Sequence, residues 1–404
     1  MKILCVLSRY AYGRPDRGEN YDYVHFLPAF EGLGHEIDFF DSGDRSLYRD
    51  FADLNVALLD RVANWRPDVI FCVLMAYEIW FETLDLIRTK SPVVVVNWGT
   101  DDSWKFAQAS RFFAGHVDLH VTTDRGAAEA APSRGLHNVF LSQWATSAAT
   151  AREPLASSSC RHDVSFVGSM YGYRAKWIAA LRASGIKVSC FGHGTENGVV
   201  SAGEIPEIFR TSRISLNFSG AGQGTAGPGD RRQIKARTFE VPGAGGFLLT
   251  EAAPGLDRYF SISREIATFE TLSQLVEKVR YYLDRPDERD AIARAGHART
   301  MAEHTYERRI SEILEKVGPL LQAKRNQAWA LSAEALAPLV KRHRSKSAAE
   351  WLRAVLVAIF SLSFGKIRGP RAARRFIYEL SWRLFGARTY TANGLPGRLF
   401  YAES

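Results

Sequence analysis

The stretch Asn217–Glu251, NFSGAGQGTAGPGDRRQIKARTFEVPGAGGFLLTE, concentrates residue types suited to holding an anion. It leaves an apolar run and passes through five glycines between Gly220 and Gly229. It then gathers Arg231, Arg232, Lys235 and Arg237, and sets Glu240 in a helix-compatible turn shortly after. Glycines let backbone N–H groups approach an anion closely, and Lys and Arg neutralise its charge. A carboxylate a few residues on suits a pair of sugar hydroxyls. These residues describe a site for a phosphorylated, ribose-bearing ligand. The same composition also describes a solvated surface loop, so the surrounding elements have to decide between the two.

Other candidate positions follow apolar runs. Gly168-Ser169 comes directly after Asp163–Val167, and Gly192-His193-Gly194 directly after Lys187–Phe191. A small residue at the end of a strand admits a ligand, and a helix starting there favours phosphate. Neither turn matches a GxGxxG fingerprint or a Walker loop, so an ordinary dinucleotide or ATP site is not expected. Asp101 and Asp102 follow the valine run Val93–Val96 and are candidate proton acceptors, since adjacent like charges raise one pKa. They serve equally well as the N-terminal cap of a helix near Ser103. No HExxH, DxD or Cys/His cluster at metal-ligand spacing is present, so no metal site is expected.

The elements that must position these residues alternate regularly. Strands are expected at Lys2–Leu7, Glu36–Phe40, Val69–Leu74, Val93–Asn97, Leu119–Thr122 and Val139–Leu141. Helices are expected at Tyr21–Leu33, Leu47–Trp65 and Tyr77–Lys90. Continuous β-branched runs suit strands covered on both faces of a parallel sheet. Residues 1–150 therefore read as one doubly wound α/β domain, and the Ala/Ser/Thr-rich stretch Thr146–His162 as a linker. A second alternation runs through residues 163–325, with strands expected at Ile214–Phe218, Phe247–Thr250 and Glu265–Phe269. The fold class is thus α/β, with two Rossmann-like domains facing a cleft at the carboxyl ends of their sheets.

Several runs in the second half carry a family resemblance: DVSFVGS at Asp163–Ser169, FGHG at Phe191–Gly194, RISLNFS at Arg213–Ser219, QIKARTFEVPGAGGFLLTE at Gln233–Glu251 and EHTYERR at Glu303–Arg309. In order and spacing they resemble the C-terminal half of spore-maturation-type glycosyltransferases, which have the GT-B fold. GHE at Gly34–Glu36, NWGTDDSW at Asn97–Trp104 and VTTD at Val121–Asp124 are similar to the family's first half more loosely. The resemblance implies a nucleotide-sugar donor held by the second domain, with Gly168, Ser169 and Gly192 at its strand ends. Lys235 and Arg237 would neutralise the departing diphosphate, and Glu240 would accept hydrogen bonds from the ribose. Glu240 matches the second glutamate of the retaining E-x7-E pattern, and Arg232 stands where the first would be. The absent glutamate keeps a non-catalytic nucleotide-sugar-binding or glycan-binding module open as the alternative to an enzyme. The implied reaction needs no metal and no cofactor, the nucleotide sugar being a substrate. The implied acceptor is a glycan, a lipid-linked glycan or a protein, in polysaccharide or cell-envelope synthesis.

Charge is unevenly placed. Residues 326–404 hold 13 Lys+Arg against 4 Asp+Glu, whereas the first 325 residues are near neutral. A basic helical tail is expected there, and the body does not look like a nucleic-acid-coating surface. Ala354–Gly365 is twelve uncharged residues flanked by Arg353 and by Lys366, Arg368, Arg371, Arg374 and Arg375. That pattern suits contact with an anionic membrane surface, or equally a core helix of a small bundle. The four separated cysteines fit reduced core thiols of a cytoplasmic protein. The opening apolar run Ile3–Leu7 is too short for a signal peptide.

Overall fold

The computed structural model describes residues 1–74, 76–220, 232–345 and 349–404. Residues 221–230, most of the glycine-rich segment, and Arg231 lie outside the described residues. The chain divides into two compact units, one of residues 1–122, 126–141 and 313–404, the other of residues 123–125 and 142–312.

The first unit alternates β1 (Lys2–Leu7), α1 (Tyr21–Gly32), β2 (Glu36–Asp41), α2 (Phe51–Trp65), β3 (Val69–Cys72), α3 (Phe81–Lys90), β4 (Val94–Gly99), the short α4 (Asp102–Lys105), β5 (Leu119–Thr122) and β6 (Val139–Leu141). Its six strands are parallel in the order β2-β1-β3-β4-β5-β6. All six residues of β4 are buried, as the valine run requires of a strand covered on both faces. Two helices start later than their apolar spacing suggests. The α2 helix begins at Phe51 because the Asp50 carboxylate accepts the Asp53 N–H at 2.8 Å and caps it. The α3 helix begins at Phe81 because the buried Asn55 side chain takes the Trp80 N–H and donates to the Glu78 carbonyl, both at 2.9 Å. Those bonds hold the preceding residues outside the helix.

The second unit contains β7 (His162–Val167), α5 (Arg174–Ala183), β8 (Val188–Phe191), α6 (Ile205–Arg210), β9 (Ser212–Asn217), α7 (Arg237–Gly243), β10 (Leu248–Glu251), β11 (Ala267–Phe269), α8 (Leu272–Leu283) and α9 (Pro286–Glu303). Its five strands are parallel in the order β11-β10-β9-β7-β8. Val164, Phe166, Leu216, Phe218 and Leu249 form a core with Leu275, Val279 and Tyr282 of α8, which recur at helical spacing. Strand order reverses at β7, which lies between β8 and β9. Ligands of open α/β sheets bind at the carboxyl ends of strands beside such a reversal.

Residues 313–404, which include the expected helical tail 326–404, fall in the first unit. They continue α10 (Tyr306–Lys324) and add α11 (Ala337–Arg344), α12 (Ala349–Phe385) and α13 (Leu395–Leu399). Leu336, Tyr378, Tyr390 and Ala392 are buried in one cluster with Phe51, Trp80, Phe81 and Phe113. Lys324 Nζ donates to the Val93 carbonyl and pairs with Asp118, each at 2.8 Å. The charge asymmetry of this segment is readable in sequence, but anchoring tyrosines some 300 residues from their partners are not. No helix among the described residues is long and apolar enough to cross a membrane.

Candidate functional site

At the carboxyl end of β7 and β8 the two glycine turns are built for backbone contact. Gly168 (φ 155°) and Gly192 (φ 125°) hold conformations that side chains rarely adopt. A Cβ on Gly192 would lie 2.4 Å from the Gly168 carbonyl oxygen. A Cβ on Gly168 would lie 2.9 Å from the Arg237 guanidinium, so Arg237, the first residue of α7, rests directly on the β7 turn.

A second guanidinium reaches the same turn. Arg174, at the start of α5, is 4 % exposed. It donates to the Ser169 carbonyl at 3.0 Å and to the Tyr171 hydroxyl at 2.9 Å, and its Cζ lies 4.0 Å from the Tyr171 ring centroid. Burial lowers its pKa, and the nearby Arg237 charge lowers it further. Among the described residues neither guanidinium forms an ion pair with a carboxylate. Two guanidinium groups thus share one strand end, with Glu240 acting on Arg237 and Glu251 on Arg174 without a direct ion pair, and such a pair is suited to an anion. Arg174 carries no mark in the sequence. It stands at the head of an ordinary helical pattern, and only the fold turns it back onto the β7 turn.

Glu240 lies one turn beyond Arg237 in α7. Burial pushes its carboxyl up to about 6, with Arg237 opposing the rise. It therefore remains mainly ionised at neutral pH and able to accept hydrogen bonds. Lys235 is half-buried two residues before α7, with its carbonyl taking the Thr238 N–H at 2.9 Å. The EHTYERR segment supports this helix from behind. The His304 ring meets Phe239 edge-on at 5.3 Å, its Nε2 bonds the Tyr259 carbonyl at 2.8 Å, and Arg309 donates to its Nδ1 at 2.9 Å. That segment holds α7 in place.

Arg232 has a different task. The β10 strand ends in Glu251, which is 2 % exposed. The Ser219 N–H and hydroxyl donate to its Oε2 at 2.9 and 3.1 Å, and the Tyr173 hydroxyl donates to the same oxygen. Arg232 pairs with Oε1 at 3.2 Å and donates to the Glu270 carbonyl. Gly220 and Arg232 also form a backbone bridge. A buried carboxylate thus ties together the ends of β9 and β10 and the chain on both sides of residues 221–231. Arg232→Glu is expected to lower stability by about 2–4 kcal/mol, because it sets a second carboxylate against a buried one. Thermal unfolding checks this, and an unchanged melting temperature would show that Arg232 is not needed to neutralise Glu251.

In the first unit, Asp102 and Asp101 part company. The Asp102 side chain is fully buried and bonded to His120 Nε2 at 2.9 Å, while His120 Nδ1 meets the Asn97 side chain at 3.2 Å. Burial raises the Asp102 pKa, but attraction to His120 and hydrogen bonds from His120, Ser110 and Thr122 outweigh it and leave it below the ordinary value. A Cβ on Gly99 would come 2.3 Å from Asp102 Oδ2, so the glycine makes room for this pair. Asp102 joins β4, β5 and α4 through this bond. Asp101 occupies the cap position of α4 through its carbonyl, which takes the Lys105 N–H at 2.9 Å, while its side chain makes no capping bond. The charge of the side chain acts on Lys105 and on Asp22.

Asp22 lies in the first turn of α1, where no motif of the sequence marks it. Asp22 is 5 % exposed, and its Oδ1 has no hydrogen-bond partner among the described residues. Burial raises its pKa to about 7, with the Asp101 charge adding to the rise. His25, one turn on, is pushed down to about 4 by burial, and its ring lies tilted against Tyr21 with ring centroids 4.3 Å apart. Arg9 is occupied by Glu19 at 3.3 Å. Asp22 is the carboxylate here whose pKa, about 7, suits a proton acceptor near neutral pH.

Residues 174–315 match a family model described as glycosyl transferase-like. Among solved structures, the chain is similar to the sucrose-phosphate synthase of Thermosynechococcus elongatus, at 10% identity over 80% of this chain and 100% of that one, with a TM-score of 0.57. It is similar to a glycosyltransferase of Rickettsia africae, at 10% identity over 80% and 98%, TM-score 0.55. It is also similar to Anabaena HepE in complex with UDP and glucose, at 12% identity over 79% and 100%, TM-score 0.53. No curated protein matches the chain by sequence. The fold is that of the two-domain GT-B glycosyltransferases.

Proposed function

We propose that this chain, built on the GT-B glycosyltransferase fold, moves a sugar from a nucleoside-diphosphate-sugar donor to a glycan, lipid-linked or protein acceptor. The observation that carries the reading is the meeting of Arg174 and Arg237 on the Gly168 turn, beside the strand-order reversal. Such a cationic pair is suited to a diphosphate, and the fold neighbour from Anabaena holds UDP. As the glycosidic bond breaks, charge grows on the leaving diphosphate. Arg174, Arg237 and Lys235 stabilise that charge more than they stabilise the bound donor, which lowers the barrier. Their charges supply what a divalent cation supplies elsewhere, and the reaction is proposed to run without one. Glu240 receives the ribose hydroxyls. Asp22, with Asp101 beside it, takes the proton of the acceptor hydroxyl in an inverting transfer. Among GT-B families, the motifs between Asp163 and Arg309 favour the spore-maturation type. The basic residues of 326–404 suit peripheral contact with the inner face of a membrane.

The alternative is a binding module that keeps the donor and has lost transfer. It is favoured by Arg232, which stands in place of a sugar-contacting glutamate and is taken up by Glu251. Donor hydrolysis with a panel of nucleotide sugars separates the two. The enzyme reading expects slow turnover of one donor and a loss of about tenfold in Lys235→Ala, the effect of one half-exposed charge on a phosphate. Absence of turnover with every donor, joined to nucleotide affinity unchanged in Lys235→Ala, would contradict it.

A further inference from the structure

The α12 helix breaks at Gly365 (φ 77°, ψ 163°), giving two arms, 349–364 and 366–385. The arms fold back on one another. Phe360 meets Phe376 with ring centroids 5.3 Å apart, and a Cβ on Gly369 would lie 2.5 Å from Ser361 Cα. Toward the body the hairpin buries Ala373 and Ile377 with Leu399 and Phe400. Toward the turn its apolar residues are left uncovered among the described residues. Leu362 and Ile367 are each 89 % exposed, and Ile359 and Phe364 are more than half exposed. Every residue from Leu362 to Arg368 is exposed. Four large apolar side chains gathered at one tip are not the scattered surface apolars of a soluble domain.

The charge around this tip has one sign. From Trp351 to Tyr378 the chain carries six basic residues and no acidic one. Lys366, Arg368, Arg371 and Arg375 are exposed. The first arm is shorter than the roughly 20 residues that span a bilayer core, and the second is too rich in charge to cross one. We propose that the hairpin tip is a monotopic anchor that seats on an anionic bilayer. Leu362, Phe364 and Ile367 enter the boundary between headgroups and acyl chains, and Lys366, Arg368, Arg371 and Arg375 meet lipid phosphates. This deepens the membrane contact proposed above and rests on that reading, while standing apart from the donor site. A second copy of the chain is a poor occupant, since it would bring a second cationic tip against the first.

The test uses the full chain, because residues near Tyr390 and Phe400 belong to buried cores and a truncation would unfold the unit. Sedimentation with phosphatidylcholine vesicles containing about a third phosphatidylglycerol is compared with sedimentation on pure phosphatidylcholine. The chain is expected to partition onto the anionic vesicles. Leu362→Ser with Ile367→Ser, and separately Lys366→Glu with Arg368→Glu, each lower that partition at least about tenfold. Melting temperature and donor hydrolysis in solution stay unchanged, so failure here is distinct from failure of the glycosyltransferase reading. Failure of the unaltered chain to bind anionic vesicles, or equal binding by the variants, would overturn the proposal. So would a dimer in analytical ultracentrifugation that the Leu362→Ser, Ile367→Ser chain no longer forms.

Discussion

Arg237→Ala is expected to reduce kcat/KM for the donor about 100-fold, roughly 3 kcal/mol of lost transition-state stabilisation, while the melting temperature holds or rises. The two halves of that result have one cause. Arg237 rests on the Gly168 turn beside the buried Arg174, and each charge opposes the other. In the free protein, removing one cation relieves repulsion. In the reacting complex, it removes a donor aimed at the leaving phosphate. A residue with a purely structural task would show the reverse: lost stability and little kinetic change. Arg237→Lys keeps the charge and loses the planar fork, so it should recover part of the rate and not all of it. Steady-state kinetics with calorimetric unfolding of the three proteins checks this.

Asp22→Asn is the second large effect, and its signature is a dependence on pH. An aspartate in an unfolded chain ionises near pH 4, whereas burial and Asp101 hold Asp22 protonated up to about 7 in the folded protein. Between those values the unfolded chain has released a proton that the folded protein still binds. The contribution of Asp22 to stability is therefore complete below about pH 4, falls as pH rises, and is lost above about 7. Replacing it by asparagine removes that penalty. The variant should melt above the parent at about pH 8 and close to it at about pH 4. Activity should move the opposite way. If Asp22 takes the acceptor proton, kcat/KM rises with pH through about 7 in the parent. The variant should lose about 100-fold or more together with that rise. A variant that keeps full activity would move the base elsewhere, with Asp101 next to examine.

These expectations depend on residues that the sequence displays unequally. The turns at Gly168 and Gly192 are legible because a strand that ends in a positive-φ backbone leaves a glycine immediately after an apolar run. The two sheets are legible because strands buried on both faces appear as continuous runs of Val, Ile, Leu and Phe. The proposed anion receptor is only half legible. Arg237 lies in a conspicuous basic stretch, but Arg174 heads a plain amphipathic helix and joins it only because β7 and α7 converge. Asp102 shows the converse. Its neighbour and its place after β4 suggest chemistry, yet His120, 18 residues away on β5, claims it. Asp22 has no local mark at all, since its raised pKa comes from burial and from Asp101, far along the chain. Arg232 looks like a fault in a pattern until Glu251 is placed beside it. Side-chain partnership across strands is a property of the sheet order, and one chain read end to end does not contain it.

The central claim is that the second unit receives a nucleoside diphosphate through Arg174 and Arg237. Isothermal titration of a panel of nucleoside diphosphates, beginning with UDP, into the full chain and into Arg237→Ala tests it most directly. Saturable binding of one of them, weakened at least about tenfold in the variant, is the predicted result. No binding of any nucleoside diphosphate to the unaltered chain, or equal affinity in the variant, would contradict it.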